Sequence, residues 1–556
     1  MSDDAIREEI RRAAGVIAFV GLGGEARELA HALLPHSDVA LKAVVSVIIA
    51  DAAQERGDGY ETALIYLFQT LVDDLAQKVR REDPKAQASA DALRQRLIDY
   101  CEQAEAPALP ARLVSAIIGV GLDPGDALRE ALAAAAQRRA IDGSCDPDGF
   151  MSELEAFVAD VGDVFQAAAT IDETICGLPE EQRASFAVAC LSADSVGLRD
   201  AGLAALLDPA PLARQAAAAA LAEQAALGRV SGDSLRRAAV IRGWLPADER
   251  PVLDAALNAA KEAGVDAAPW PRPARLGGVY VSACDGAGGQ TAMLDGKQGR
   301  RPMMAALLFN RGAGVADVWA TRGRQGRSVN SLVEGARAGV HLIPSSLPFV
   351  AKLTRHYLGV AADSGRPPPF SMLNVLETLG IGGVSPDRLD LDRLVQDLTE
   401  NLPADAADPA NAEVWLKAGA RWFRDFDFTD GWFDDAAETA ALVRQPGLSR
   451  AEAARLVLEL RLEPRRREWA EILGWTGQAL REVERLAELE AAKAAKGKTS
   501  AEAAAPPSQP VWPAFAVAVR ELAAGRPMDR IEAMKAIARN CVNVFNPPVY
   551  GAFPTH

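Results

Sequence analysis

The sequence lacks the residue patterns on which most catalytic and metal sites depend. Its six cysteines are scattered along 556 residues, and no two of them have CxxC or zinc-finger spacing. Its five histidines form no HxxxH or HExxH pair, and no GxSxG, Walker-type phosphate loop or SxxK motif is present. We therefore predict no cofactor and no metal ion. An enzyme of unfamiliar type stays open, but the sequence favours a non-enzymatic function.

Signals for secretion and membrane insertion are also lacking. The chain begins with acidic residues, whereas a signal peptide begins with positive charge. The apolar stretches at residues 16–20 and 44–50 are far shorter than the roughly 20 residues that span a bilayer. Scattered cysteines are typical of a reducing compartment. We expect a cytoplasmic protein that does not bind membranes.

Positive charge is in deficit. Lys and Arg number 60 against 76 Asp and Glu, which gives a net charge of −16. Such a chain is repelled by phosphate backbones as a whole, so bulk binding of nucleic acid is disfavoured. A local basic patch can still bind an anionic group.

What the sequence has in abundance is helical periodicity. The predicted fold is mainly α, with helical-repeat or α-solenoid-like arrays and one small antiparallel α+β module. We predict an N-terminal helical domain (1–140), HEAT-like helical repeats (141–270), a four-stranded antiparallel sheet plus helix (275–345), a C-terminal helical domain (346–495), a flexible linker (496–510) and a terminal helix pair with a Pro-rich tail (511–556).

Short Ala-rich helices joined by short turns occupy residues 178–265. Two segments in this region are alike, because each places an arginine, Arg199 or Arg214, just inside a helix before small residues and leucine. The pattern resembles HEAT or armadillo-type α-solenoid repeats. That resemblance implies stacked helix pairs with an extended surface that suits another macromolecule.

Residues 277–345 change in character. Segments rich in β-forming residues alternate there with Gly-rich turns, which is the pattern of an antiparallel meander. The predicted elements are strands at 279–284, 290–294, 303–309 and 314–321, followed by a helix at 328–338.

Basic residues are concentrated in this module, in contrast to the rest of the chain. We predict that five arginines form one face that binds an anionic partner; they are Arg300, Arg301, Arg322, Arg324 and Arg327. In an up-and-down meander, the turn between strands two and three shares its end of the sheet with the exit of strand four. Arg311, in the next turn, belongs at the other end. Ordinary solvated turns, or docking onto the chain's own acidic residues, are the alternatives.

A glycine-rich stretch near the N-terminus invites a nucleotide-binding interpretation. Gly21, Gly23 and Ala26 have GxGxxA spacing, and the acidic Asp51 follows a second apolar stretch. The alternation of strands and helices that a dinucleotide fold needs is not evident in the sequence. We therefore expect helices on both sides of Gly21 and no bound nucleotide.

Two acidic patterns invite a metal-binding interpretation. The loop that starts at Asp425 resembles a calcium loop, but its glycine is one place late and position twelve is not glutamate. Asp285 ends a predicted strand, yet only Asp295, Asp317 and Glu334 are near it in sequence, in an unsuitable order. We interpret the first as a solvated helix-capping loop and the second as a hairpin turn.

The favoured function is a cytoplasmic helical-repeat scaffold or adaptor that binds another macromolecule. A protein is the expected partner, and nucleic acid is open through the local basic residues. The alternative is an enzyme or nucleic-acid-processing factor built around residues 277–345. A deep pocket with converging carboxylates would favour the enzyme, whereas a shallow basic face would favour binding.

Overall fold

The computed structural model describes residues 3–21, 24–51, 58–80, 83–103, 108–141, 147–322, 341–496 and 511–546. The described residues are 70% helical and contain one five-stranded antiparallel sheet, so the prediction of a mainly α fold with one small antiparallel module is confirmed. The chain forms two compact units. Unit 1 comprises Met1–Ala238 and Pro251–Ala268, and unit 2 comprises Ala239–Arg250 and Pro269–His556.

Of the helices that the structure describes, α1 to α14 lie in unit 1, except that α13 and α14 each extend into residues 239–250 of unit 2. They are α1 Asp3–Val20, α2 Gly24–His31, α3 Ser37–Asp51, α4 Asp58–Arg80, α5 Pro84–Gln103, α6 Ala108–Gly119, α7 Asp126–Ile141, α8 Pro147–Val161, α9 Val164–Ile175, α10 Glu180–Ser192, α11 Val196–Gly202, α12 Pro211–Ala226, α13 Gly232–Arg242 and α14 Arg250–Glu262.

The stretch Glu25–Asp51 has the length and mean hydropathy, 1.6, of a membrane-crossing helix. A helix in the core of a folded domain can have the same length and hydropathy as a membrane-crossing helix. Nine of the 15 residues of α3 are buried in unit 1. The carboxylate of Asp51 is buried as well, where it accepts hydrogen bonds from Arg11 Nε (3.4 Å) and Tyr60 Oη (3.1 Å). We therefore interpret α3 as a core helix.

The helical interpretation of the Gly21 segment is confirmed. Residues 16–20 lie in α1 and residues 44–50 lie in α3, so the two strands of a dinucleotide fold are not formed there. Gly21 itself ends α1 with φ of 81°, a left-handed conformation that glycine adopts without strain. The absence of nucleotide binding stays a prediction.

The two arginines that mark the Ala-rich helices have equivalent roles. Nη1 of Arg199 donates to the carbonyls of Ala193 (2.6 Å) and Asp194 (2.8 Å), in the turn before its helix. Nη1 of Arg214 donates to the carbonyls of Asp208 (2.7 Å) and Pro209 in the same way. Each arginine is buried and satisfies carbonyls that the preceding turn leaves open. The shared sequence pattern therefore corresponds to a shared structural one.

The sheet of unit 2 has the spatial order β4-β3-β2-β1-β5, and every neighbouring pair is antiparallel. The four-stranded meander is thus confirmed. The strands are longer than predicted, and a fifth, short strand pairs with β1 at the edge. Their bounds are β1 Arg275–Ser282, β2 Gly289–Gln298, β3 Arg301–Asn310, β4 Gly314–Arg322 and β5 Leu342–Pro344.

The other helices that the structure describes belong to unit 2. They are α15 Leu347–Asp363, α16 Ser371–Leu379, α17 Leu391–Thr399, α18 Ala404–Ala407, α19 Ala412–Leu416, α20 Trp422–Asp425, α21 Ala437–Val443, α22 Arg450–Val457, α23 Arg466–Lys496, α24 Trp512–Ala523 and α25 Glu532–Phe545.

Helices α15 and α23 hold the sheet at its Asp285 end. The ring of Tyr357 on α15 stacks on Phe309 of β3, with centroids 4.8 Å apart. Oγ1 of Thr476 on α23 accepts a hydrogen bond from the backbone N of Cys284 at 3.1 Å. On the sheet's other face, Met293 and Met304 form a separate apolar cluster. The sheet therefore has a fixed position within the helical unit.

A buried carboxylate connects three segments of unit 2. Asp434, 0% exposed, accepts hydrogen bonds from Arg465 Nη1 (2.5 Å), Arg461 Nε (3.3 Å) and Thr439 Oγ1 (2.5 Å). Its backbone N also donates to Sγ of Cys541 on α25, at 3.3 Å. The expectation of a solvated acidic loop at residues 425–435 is therefore wrong for this residue.

The backbone that carries the two arginines, between α22 and α23, is irregular. Leu458–Leu462 forms a π-helical turn and Glu463–Arg465 a 3₁₀ turn. Arg461 and Arg465 are four residues apart, a spacing that places side chains on the same side of a helical segment, and both pair with Asp434.

Candidate functional site

Strands β2 and β3 form a hairpin whose tip extends past the strands on either side. The last cross-strand pair is Gln298 with Arg301, which leaves a two-residue loop of Gly299 and Arg300. Gly299 has φ of 63°, which suits glycine in such a tight loop. Strand β1 pairs with β2 only as far as Lys297, and β4 pairs with β3 only as far as Met303. The tip is therefore open to solvent.

Four basic side chains surround this tip, and we call them the basic end: Arg275, Lys297, Arg300 and Arg301. Arg275 and Lys297 are cross-strand partners, and such neighbours have Cβ atoms about 5 Å apart. All four residues are exposed, and none forms an ion pair with any other residue that the structure describes. The basic end thus presents uncompensated positive charge in a chain of net charge −16.

The five predicted arginines fall into three groups. Arg300 and Arg301 lie at the hairpin tip, and the backbone of Arg322 lies at the same end of the sheet, opposite Met303. Arg324 and Arg327 lie outside the described residues, as do the predicted helix at 328–338 and residues 497–510 of the predicted linker. The placement of the tip and of the β4 exit at one end agrees with the meander argument. Whether the five form one binding face stays a prediction.

Sequence reasoning missed Arg275. The predicted first strand begins at residue 279, after Gly277 and Gly278. In the structure β1 begins at Arg275, and a register shift between Leu276 and Gly278 absorbs the irregularity. A glycine pair beside a β-rich stretch can mark a bulge rather than a strand end. That signal would have placed Arg275 beside Lys297.

Arg311 lies at the opposite end of the sheet, as expected. Its guanidinium pairs with Glu468 (2.7 Å) and approaches Glu471 (3.8 Å), both on α23. Burial raises the pKa of Glu471, and the Arg311 charge opposes that rise. Arg311 is thus compensated within unit 2, in contrast to the four residues of the basic end.

The acidic patterns of the sequence do not converge. Asp285 caps its own turn, where Oδ1 accepts hydrogen bonds from the backbone N of Ala287 (3.0 Å) and Gly289 (2.7 Å). Asp425 pairs with Arg424 at 3.0 Å. Within the described ranges, no three His, Cys, Asp or Glu side chains are grouped so that they could hold a metal ion. Glu334 lies outside those ranges.

Two segments of the chain resemble domains of one named family. Residues 179–264 match the Y4lR second domain, and residues 392–496 match the Y4lR C-terminal helical domain. The chain is also similar to "Uncharacterized protein y4lR" of Sinorhizobium fredii (strain NBRC 101917 / NGR234), with 25% identity over 407 residues. The aligned part covers 71% of this chain and 76% of that protein. No solved structure matches the chain.

The first matched segment spans α10 to α14, which is the region that resembles helical repeats. The match to a Y4lR domain does not test that resemblance, so the HEAT or armadillo interpretation stays a prediction. The second segment spans α17 to α23. The basic end lies between the two matched segments and within neither.

Proposed function

We propose that this protein is a cytoplasmic scaffold or adaptor that binds another protein, and that the basic end contacts an acidic surface of that partner. The observation that carries the proposal is the group of four exposed basic side chains at one hairpin tip, none of which forms an ion pair within the described residues. Uncompensated charge of this kind steers a partner of opposite charge and fixes its orientation. Arginine is also among the residues that contribute most at protein interfaces.

A protein partner is favoured over nucleic acid by the charge of the whole chain. A polyphosphate backbone would meet the basic end together with the repulsive field of a chain of net charge −16. An acidic patch on a folded protein is small enough to meet the basic end alone. The helices of residues 178–265, if they stack as repeats do, would add an extended surface for a scaffold.

Reversing the charge of the hairpin tip should abolish partner binding. In an Arg300→Glu/Arg301→Glu variant, two glutamates face the partner's acidic surface, and we expect an affinity at least 100-fold lower, about 2.7 kcal/mol. The tagged full-length chain is used to recover partners from cells that produce it, and quantitative mass spectrometry compares wild type with variant. The affinity of each recovered partner is then measured at two salt concentrations.

The matched control is Arg366→Glu/Lys417→Glu, which changes the net charge of the chain by the same amount. Both residues are exposed residues of unit 2, and neither has an ion pair among the residues described. The control should recover the same partners as wild type. Equal recovery with all three proteins would contradict the proposal. Recovery of nucleic acid rather than protein, lost in the tip variant, would favour the nucleic-acid-processing factor instead.

A further inference from the structure

Unit 1 contains a groove of about 350 Å³ between α3 and α5. Its floor is apolar, because Leu41 and Val45 of α3 and Leu93 of α5 line it and are at most 5% exposed. Pockets that bind small molecules commonly have volumes of about 300 Å³ or more, apolar linings and a few polar groups that fix the ligand's orientation. The groove has the size and lining of such a site.

Two cations reach the groove from opposite walls. Lys42 extends from α3 and Arg96 from α5, and neither forms an ion pair with another residue in the described ranges. Nη2 of Arg96 donates to Ser46 Oγ at 2.6 Å, which holds the guanidinium against α3. Nε of Arg96 is buried and has no hydrogen-bond acceptor among the described residues. A carboxylate between these cations would form charge-assisted hydrogen bonds with both.

Two carboxylates limit the charge that the groove accepts. Asp38 and Asp99 line it as well, and neither has a cationic partner among the residues that the structure describes. A dianion such as a phosphate ester would meet repulsion from both. A ligand with one negative charge matches the two cations while adding little repulsion.

We propose that this groove binds a small organic monocarboxylate with an apolar body. The carboxylate lies between Lys42 and Arg96, and the apolar body covers Leu41, Val45 and Leu93. This site is in unit 1 and goes beyond the proposed function, because the basic end belongs to unit 2.

Isothermal titration calorimetry of the full chain with three probes tests the chemistry of the site. Hexanoate has both the charge and the apolar body, hexanamide lacks the charge, and acetate lacks the apolar body. We expect hexanoate to bind and the other two to bind at least tenfold more weakly. Equal affinity for hexanoate and hexanamide would overturn the proposal, and so would an absence of hexanoate binding.

Two variants test the location of the site. Lys42→Gln should weaken hexanoate binding at least fivefold, and Ala92→Trp should abolish it because the indole would fill the mouth of the groove. Both positions are exposed, so the variants should keep the wild-type fold, as checked by circular dichroism. Lys85→Gln, at an exposed lysine elsewhere on α5, is the control and should bind like wild type. Wild-type affinity in both groove variants would refute the assignment.

Discussion

Replacing Asp434 with asparagine should lower the free energy of unfolding of unit 2 by about 3 kcal/mol. The substitution keeps the shape of the side chain but removes the negative charge with which both Arg461 and Arg465 pair. Removing one partner of a buried ion pair costs about 3–5 kcal/mol. The low end applies, because Arg461 also pairs with Glu438 and Arg465 with Glu468.

Tryptophan fluorescence during denaturant unfolding measures this loss, since all nine tryptophans lie in unit 2. The control is Asp435→Asn, at the exposed neighbour of Asp434, and it should change the free energy of unfolding by no more than about 0.5 kcal/mol. A loss below about 1 kcal/mol in Asp434→Asn would show that Asp434 does not stabilise the contact between its loop, the π-helical turn and α25.

The second large effect is expected on the pH dependence of stability. His356 on α15 is 6% exposed, and its ring lies 4.6 Å from that of Trp475 and 4.9 Å from that of Tyr357. The pKa of His356 is lowered to about 4, mainly by burial and also by the charges of Arg388 and Lys352, while Asp387 opposes the shift. Its Nδ1 accepts a hydrogen bond from the backbone N of Leu389 at 3.1 Å, which requires the unprotonated atom.

The direction in which stability changes with pH follows from the pKa of His356 in the unfolded and in the folded chain. The unfolded imidazole has a pKa near 6.5 and the folded one near 4, so the unfolded chain binds more protons between these values. The contribution of His356 to stability is therefore complete above pH 6.5 and falls as the pH is lowered toward 4. Between pH 7.5 and 4.5, unit 2 should lose about 2.5 kcal/mol through this one group.

The variant His356→Phe keeps an aromatic ring but cannot take up a proton, so its stability should fall about 2.5 kcal/mol less over the same range. Urea unfolding at both pH values, followed by tryptophan fluorescence, gives the difference. The same replacement at His341 is the control, because an exposed imidazole meets water in both states. If wild type and His356→Phe lose stability in parallel, the buried imidazole is not the source of the pH dependence.

Local signals in the sequence were sufficient to predict much of the fold. Burial of Ile6, Ile10 and Ile17 follows their helical spacing, and the Ser-x-x-Glu pattern at Ser449 forms a capping box with Glu452. The Gly-rich turns placed the meander and its ends. These features depend on residues a few positions apart, which is why periodicity and turn chemistry reveal them.

Features that depend on distant residues were missed. The three-residue strand β5 exists only because β1 offers an edge, and no periodicity can appear in so short a segment. The acidic loop is rich in Asp, yet only the packing of α25 and the π-helical turn distinguishes buried Asp434 from exposed Asp435. At the basic end, the hairpin signal placed Arg300 and Arg301 correctly, while Arg275 depended on a bulge.

The chain passes from unit 1 into unit 2 and back, and this path limits how gene fragments can encode the units separately. Residues 239–250 belong to unit 2 although unit 1 precedes and follows them. Within that segment Trp244 is 3% exposed, and its Nε1 donates to the carbonyl of Val384 at 2.9 Å. A gene fragment that ends at residue 268 would encode all of unit 1 together with a tryptophan deprived of its burial site. Neither unit can therefore be transferred between genes as one uninterrupted cassette, and recombination should preserve or exchange the two as a pair.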